Sequence, residues 1–156
     1  MQTLIRILFV CKGNICRSPM CEFVMRDLAM RAGRANEFRI ASAATTNEEI
    51  GNPVHPGTKR MLAAHNIACV GKTARQVKRD EYKSWDLVVA MDDENVCDLM
   101  RVFRNDPEHK VHKLMEYVEG GDITTARDVA DPWYTGDFET TWNDVLAGCQ
   151  GILAAM

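Results

Sequence analysis

An uninterrupted apolar run, Ile7-Leu8-Phe9-Val10, preceded by Leu4 and Ile5, leads straight into Cys11-Lys12-Gly13-Asn14-Ile15-Cys16-Arg17-Ser18-Pro19. A strand that is apolar on both sides is buried on both sides, which is the situation of a strand inside a parallel sheet. Such a sheet needs helices to cover it, and this restricts the chain to an α/β arrangement. Gly13 and Asn14 permit tight turning, and Ser18 and Pro19 suit the cap and first position of a helix, so the segment reads as strand, loop, helix.

The loop carries chemistry. Between a strand and a helix, successive backbone N–H groups point into one small bowl, and the helix start adds its positive dipole end, so the bowl accepts a tetrahedral oxyanion. Arg17 supplies a planar fork for two oxygens of that anion, a geometry lysine cannot match. The same donors stabilise a thiolate at the bowl's floor, which makes Cys11 a nucleophile. Cysteine, five residues, arginine and then serine therefore read as a phosphate-binding loop with its own nucleophile.

The rest of the chain alternates in the same way. Helical spacing of Met20, Phe23, Val24 and Leu28 predicts a helix from about Ser18 to Ala32, and Arg39 to Ala43 is a short strand. A polar loop from Thr45 to Pro56 precedes a helix from about Gly57 to His65, and a short helical stretch follows around Ala74 to Arg79. Asp86 to Met91 reads as a buried strand, with Asp92 capping a helix that runs to about Val102. Val111 to Leu114 is the fourth strand, and Phe138 to Ala155 a closing helix with Trp142, Val145, Leu146, Cys149 and Ile152 on one side. The expected fold is one three-layer α/β domain over residues 1–156, with helices on both faces of a parallel sheet and the Cys11 loop at the carboxyl end of its first strand.

A formal charge of -3 and a pI near 5.8 argue against a general nucleic-acid or membrane binder, so an anion site here is local. The first apolar run is strand-length and ends in the loop, which does not fit a signal peptide. The six cysteines, at 11, 16, 21, 69, 97 and 149, lack the setting of a disulfide scaffold and contain no C-x-x-C pair. His55, His65, His109 and His112 make no ligand pattern with them. Reduced thiols in the cytoplasm are expected, with Cys21, Cys69, Cys97 and Cys149 as packing residues.

A leaving alkoxide or phenolate needs a proton, and the candidate donor is Asp131 in Ala130-Asp131-Pro132-Trp133-Tyr134, an irregular segment before the last helix. Pro132 stiffens the chain beside the carboxyl, and Trp133 and Tyr134 can wall a pocket around a ring.

The loop from Val10 to Pro19, Ser42-Ala43-Ala44, Ile50-Gly51-Asn52-Pro53, Ala74-Arg75-Gln76, Met91-Asp92 and Asp131-Pro132-Trp133-Tyr134 follow one another as in the low-molecular-weight protein tyrosine phosphatases. Essentially the whole chain resembles that family. The resemblance implies a four-stranded parallel sheet and hydrolysis of phosphotyrosine through a cysteinyl-phosphate, with no metal and no cofactor. It implies Cys11 as nucleophile, Arg17 as phosphate clamp and Asp131 as the acid that later activates water. Lys12, Gly13, Asn14, Ile15, Cys16 and Ser18 then form the substrate-binding loop, with Ser18 bonded to the Cys11 thiolate. Asn14 resembles the left-handed residue that holds the loop, supported by Ser42 and Lys72. Cys16 resembles the second cysteine that traps oxidised Cys11 as a disulfide. Trp133 and Tyr134 form the rim, with Glu48 opposite. Expected partners are phosphotyrosine-containing proteins or peptides, neither nucleic acid nor membrane, and a monomer or weak self-association.

Three positions depart from the family pattern: Glu48 stands where an aromatic is frequent, Lys72 and Thr73 where a histidine is common, and Lys12 is charged. They bear on substrate preference and loop rigidity rather than on the chemical step. Other readings are an arsenate reductase of the same fold, a protein-arginine phosphatase, and a phosphotyrosine-binding module without turnover. The first needs a cysteine relay after the third strand, where Val89-Ala90-Met91-Asp92 has none. The second favours threonine where Ile15 stands. The third has no use for Cys11, Ser18 and Asp131 together. A magnesium-dependent enzyme with an aspartate nucleophile is excluded, since Asp92 and Asp93 follow the third strand and not the first.

Overall fold

Strand and helix alternate through the computed structural model, which describes residues 3–156. β1 (Ile5–Cys11), β2 (Phe38–Ala44), β3 (Leu87–Ala90) and β4 (Val111–Lys113) form one parallel sheet in the order β2-β1-β3-β4. Cys11 pairs with Ala44 and Val10 with Ala90, so β1 ends between its two neighbours. From β1 the chain crosses to one side to make β2 and then returns to the other side for β3. The carboxyl end of β1 is thus the point where strand order reverses, the crevice in which such sheets bind ligands.

Side-chain alternation along β1 divides the core. Ile7, Phe9 and Cys11 face α1 (Arg17–Arg31), α2 (Pro56–Ala64) and α6 (Phe138–Ala155), meeting Met20, Val24, Leu62, Val145 and Cys149. Leu8 and Val10 face the other way, toward Trp85 and toward Leu99 and Phe103 of α3 (Asp93–Val102) and its C-cap. Helices therefore cover both faces, as expected. Val145, Cys149 and Ile152 of α6 are wholly buried, and full burial of a Val or Ile side chain contributes about 1.5–3 kcal/mol.

Local details correct the sequence reading. α1 begins at Arg17 with Cys16 as its cap residue, and no side chain caps it. Ser18 lies inside the helix because its hydroxyl is drawn to the Cys11 sulfur and not to the helix end. The stretch from Ala74 is not helical: Gln76 bridges in parallel to Ala44 and Val77 N–H donates to the Ala44 carbonyl at 2.8 Å. The unpaired edge at the end of β2 competes successfully for those backbone groups, and the helical turn comes later, at Arg79–Ser84. Asp131-Pro132-Trp133-Tyr134 is not irregular, since Pro132–Thr135 form a short helix, α5, after another single turn, α4 (Glu116–Glu119). Cys97 is exposed on α3 and does not pack, whereas Cys21 and Cys149 do.

Candidate active site

The phosphate-type loop, residues 11–17, is shaped by what binds its carbonyls from outside. Thr45 N–H donates to the Cys11 carbonyl at 3.0 Å, Thr46 N–H to that of Lys12 at 3.2 Å, and His55 N–H to that of Ile15 at 2.8 Å. Thr58 Oγ1 donates to the Cys16 carbonyl at 3.0 Å. In a trans peptide the carbonyl and the next N–H point in opposite directions, and the described peptide bonds are all trans. Carbonyls held outward thus turn the N–H groups of Lys12, Gly13, Cys16 and Arg17 inward, which makes an anion bowl.

Asn14 closes the curl with φ 58, a left-handed conformation that asparagine tolerates better than most residues. Its side chain is fully engaged. Nδ2 donates to Ser18 Oγ at 2.8 Å and to Ser42 Oγ at 2.9 Å, and Oδ1 accepts from Arg75 N–H at 3.1 Å. Ser42 Oγ donates in turn to the buried Glu22 at 2.6 Å. Lys72 Nζ lies 3.6 Å from Glu22 and donates to the Ser42 carbonyl at 3.1 Å, so lysine supports the loop from behind through Glu22 and Ser42. Burial pulls the Lys72 ammonium below its usual range, against the charge of Glu22.

Cys11 Sγ sits at the floor, accepting from Asn14 N–H at 3.3 Å, with Ser18 Oγ 3.1 Å away. Asn14 fills one acceptor position of the Ser18 hydroxyl, which leaves the hydroxyl proton for the sulfur over a longer alternative, the Ala43 carbonyl at 3.4 Å. These are the donors a thiolate needs. Cys16 is different. Burial first, then the charges of Cys11 and Asp131, push its thiol up to about 12, so it stays protonated at neutral pH.

Arg17 is 1% exposed. Its Nη1 donates to Asp92 Oδ2 at 2.7 Å and to the Val129 carbonyl at 2.9 Å, and its Nη2 to Asp131 Oδ2 at 3.3 Å. Nε is buried and has no partner among the described residues. Burial opposes the charge, but Cys11, Asp92 and Asp131 outweigh it and hold the guanidinium above the usual arginine range. Nη1 is anchored on two acceptors, whereas Nε, and Nη2 once an anion displaces Asp131, can meet two oxygens of that anion.

Asp131 caps α5, its Oδ1 accepting from Trp133 N–H at 3.1 Å while Oδ2 reaches Arg17. Residues 11–13, 15–17, Glu48, Glu49, Asp131, Trp133 and Tyr134 line a cleft that opens to solvent. Trp133 is 57% and Tyr134 72% exposed, which makes them rim and not floor. Tyr134, then Glu94 and Glu48, hold the Lys12 ammonium above the usual lysine range across the same mouth.

The sequence-predicted residues thus meet in one place, with Ser42 and Lys72 behind the loop. Three others were not singled out as site residues. Asp92 reads in the sequence as a cap, which it is, accepting from Asn95 N–H at 2.8 Å with Oδ1; its second oxygen holds Arg17. His55 binds the loop carbonyl and stacks on Phe138 with ring centroids 5.0 Å apart. Glu22 was one charge among many on a helix. Only the Met91-Asp92 pair in the family pattern hinted at any of them.

The arrangement can bind a tetrahedral dianion, attack it from sulfur and exchange a proton with its ester oxygen. Comparison with known proteins agrees. The model of the family described as low molecular weight phosphotyrosine protein phosphatase matches residues 6–156. The chain is 41% identical over 155 residues to the low molecular weight protein-tyrosine-phosphatase YfkJ of Bacillus subtilis, covering 98% of this chain and 96% of that one. It is 36% identical over 151 residues to the low molecular weight phosphotyrosine protein phosphatase of Gallus gallus, covering 94% and 92%. The crystal structure of YfkJ superposes with a TM-score of 0.92 at 38% identity over 98% of this chain and 94% of that one. The low molecular weight protein tyrosine phosphatase of Streptococcus pyogenes does so at 0.85 and 34%, over 98% and 93%. With the nucleophile loop, the anchored arginine and the aspartate converging in that fold, the chain belongs to the low molecular weight phosphotyrosine protein phosphatase family.

Proposed function

We propose that residues 1–156 act as one catalytic domain that hydrolyses phosphotyrosine in proteins or peptides through a cysteinyl-phosphate. The carrying observation is that Cys11, Arg17 and Asp131 line one cleft, with Arg17 Nε lacking a partner among the described residues and Nη2 held by the Asp131 carboxylate. The phosphate dianion enters the bowl and takes the Arg17 edge, displacing Asp131 Oδ2. The Cys11 thiolate then attacks phosphorus, the bond to the phenol oxygen breaks, and Asp131 gives that oxygen its proton. In the second step Asp131 takes a proton from water, the water oxygen attacks phosphorus, and the sulfur leaves as thiolate with release of inorganic phosphate. The inward N–H groups and Arg17 bind the equatorial oxygens throughout.

Trp133 and Tyr134 give a flat ring its sides, and Ile15 lines the inner wall, which supports aryl phosphoesters over alkyl phosphoesters or N-phosphorylated guanidines. Free thiols, among them Cys11 and Cys16, support a reducing, cytoplasmic setting, and among the described residues no helix is long and apolar enough to cross a membrane. A monomer or weak self-association fits this reading.

Turnover of para-nitrophenyl phosphate in the presence of a chelator, lost in Cys11→Ser, tests the mechanism. Phosphotyrosine peptides should be cleaved well above phosphoserine or phosphoarginine ones; full activity of Cys11→Ser, or a preference for phosphoarginine, would refute the proposal.

A further inference from the structure

Lys113, the last residue of β4, is a charged side chain with 1% exposure. Its Nζ lies 2.8 Å from Asp93 Oδ1, 2.8 Å from Asp128 Oδ1 and 2.6 Å from the Ala126 carbonyl oxygen. An ammonium has three protons, so all are used. The acceptors belong to two different parts of the molecule. Asp93 opens α3, directly after Asp92, whose carboxylate holds Arg17. Ala126 and Asp128 lie on the segment that runs to Asp131.

The two parts are tied again beside the lysine. Asp93 N–H donates to Asp128 Oδ1 at 3.0 Å, Val129 N–H donates to the Met91 carbonyl at 2.8 Å, and Arg17 reaches the Val129 carbonyl. Of the ion pairs Lys113 makes with Asp93 and Asp128, the lysine is the buried partner. Its carboxylate partners are 74% and 50% exposed, so they hydrate without it. Burying an ammonium is costly, and an apolar residue of similar volume would be tolerated as well or better for stability alone. Its loss therefore loosens the segment more than it strands a buried charge.

We propose that Lys113 is a positioning residue: it fixes the 126–131 segment to the start of α3, and so holds the Asp131 carboxyl in register with Arg17 and Cys11. The inference rests on the phosphatase reading above. Lys113 never touches substrate; it acts through Asp131. A general acid matters most where the leaving group is a poor one, and a small misplacement of a catalytic group is enough to lose it. A role in stability alone would reduce all esters alike.

The test is kcat/KM of wild type and Lys113→Met on phenyl phosphate and on dinitrophenyl phosphate, with Tm measured alongside. Expected is a loss of about tenfold or more on the phenyl ester and less than about twofold on the dinitrophenyl ester. Asp128→Ala, at a half-exposed carboxylate, removes one acceptor from the acid segment and should show the same selective loss at smaller size, so the test survives a Lys113→Met protein that does not fold. Equal losses on both esters, or none, in an active enzyme overturn the role of Lys113 only. A wild-type protein inert toward both esters overturns the phosphatase reading and this inference with it.

Discussion

Asp92 serves two structures with its two oxygens: Oδ1 caps α3 through Asn95 N–H at 2.8 Å, and Oδ2 accepts from Arg17 Nη1 at 2.7 Å. The helix that carries the residue is thereby fixed to the guanidinium that it orients, and the buried arginine has a carboxylate to balance it. Asp92→Asn keeps an oxygen for the cap but removes the charge. It should lower kcat/KM on the order of 10²-fold by letting the fork turn away from the phosphate, with little loss of helix capping. Weaker binding of inorganic phosphate, measured as competitive inhibition, should accompany it; unchanged phosphate affinity would show that Arg17 is oriented without Asp92.

Asp131→Ala should cost about 10²–10⁴-fold on substrates with poor leaving groups. Esters whose leaving group needs no proton should suffer less in the first step. Steady-state and burst kinetics on an ester series separate the two steps, and equal losses across the series would make Asp131 a structural cap of α5 only.

Cys16 should be silent toward alkylation near neutral pH, because burial and the neighbouring negative charges push its thiol up to about 12. Iodoacetamide should label Cys11 first, and phosphate should protect it. Peroxide should oxidise Cys11 to a sulfenic acid, which the Cys16 thiol condenses with, releasing water and forming a disulfide that added thiol reverses. In Cys16→Ser the inactivation should become largely irreversible. Peptide mapping that found Cys11 paired with Cys21 would assign the trap to another residue.

Tyr82 gives the fold an alkaline limit. Burial and then its hydrogen bond to Asp106 push the phenol up to about 12, while an unfolded tyrosine titrates near about 10. The folded chain therefore holds this proton to higher pH than the unfolded chain. The contribution to stability is fully present below about pH 10 and is lost as pH rises from there toward 12. Urea midpoints at a series of alkaline pH values should fall faster for wild type than for Tyr82→Phe, which has no phenol to titrate.

Gly151 on α6 should resist replacement by alanine. Alanine favours a helix interior by about 1 kcal/mol over glycine, but a Cβ at this position would stand 2.1 Å from the Tyr117 carbonyl oxygen. Overpacking of that kind costs about 1–3 kcal/mol, so the packing term wins and Gly151→Ala should lower Tm. A raised Tm would mean that the Tyr117 turn yields easily.

From the chain alone, the α/β architecture, the last helix from Phe138 to Ala155, and the phosphate-loop reading of Cys11 and Arg17 can be read, because each rests on local information, whereas Asp131 reads as an acid only when paired with that loop. Ile7 to Val10 is apolar on both faces, the loop residues sit within a few positions of one another, and helical periodicity is a property of neighbours. The helical stretch that the sequence suggests around Ala74 to Arg79 does not start at Ala74, because Gln76 answers to Ala44, a residue far away in sequence that needs a partner at the sheet edge. Ser18 suits a helix cap by its position, but its hydroxyl meets the Cys11 sulfur, the contact that the family resemblance implies. Asp92, Glu22 and Lys113 carry no local mark of their tasks, since an aspartate or lysine on an element end and a glutamate within a helix are ordinarily solvated. Only tertiary structure decides which charges lose their water, and a buried charge must take fixed partners: Arg17 takes Asp92, and Lys113 takes Asp93, Asp128 and the Ala126 carbonyl.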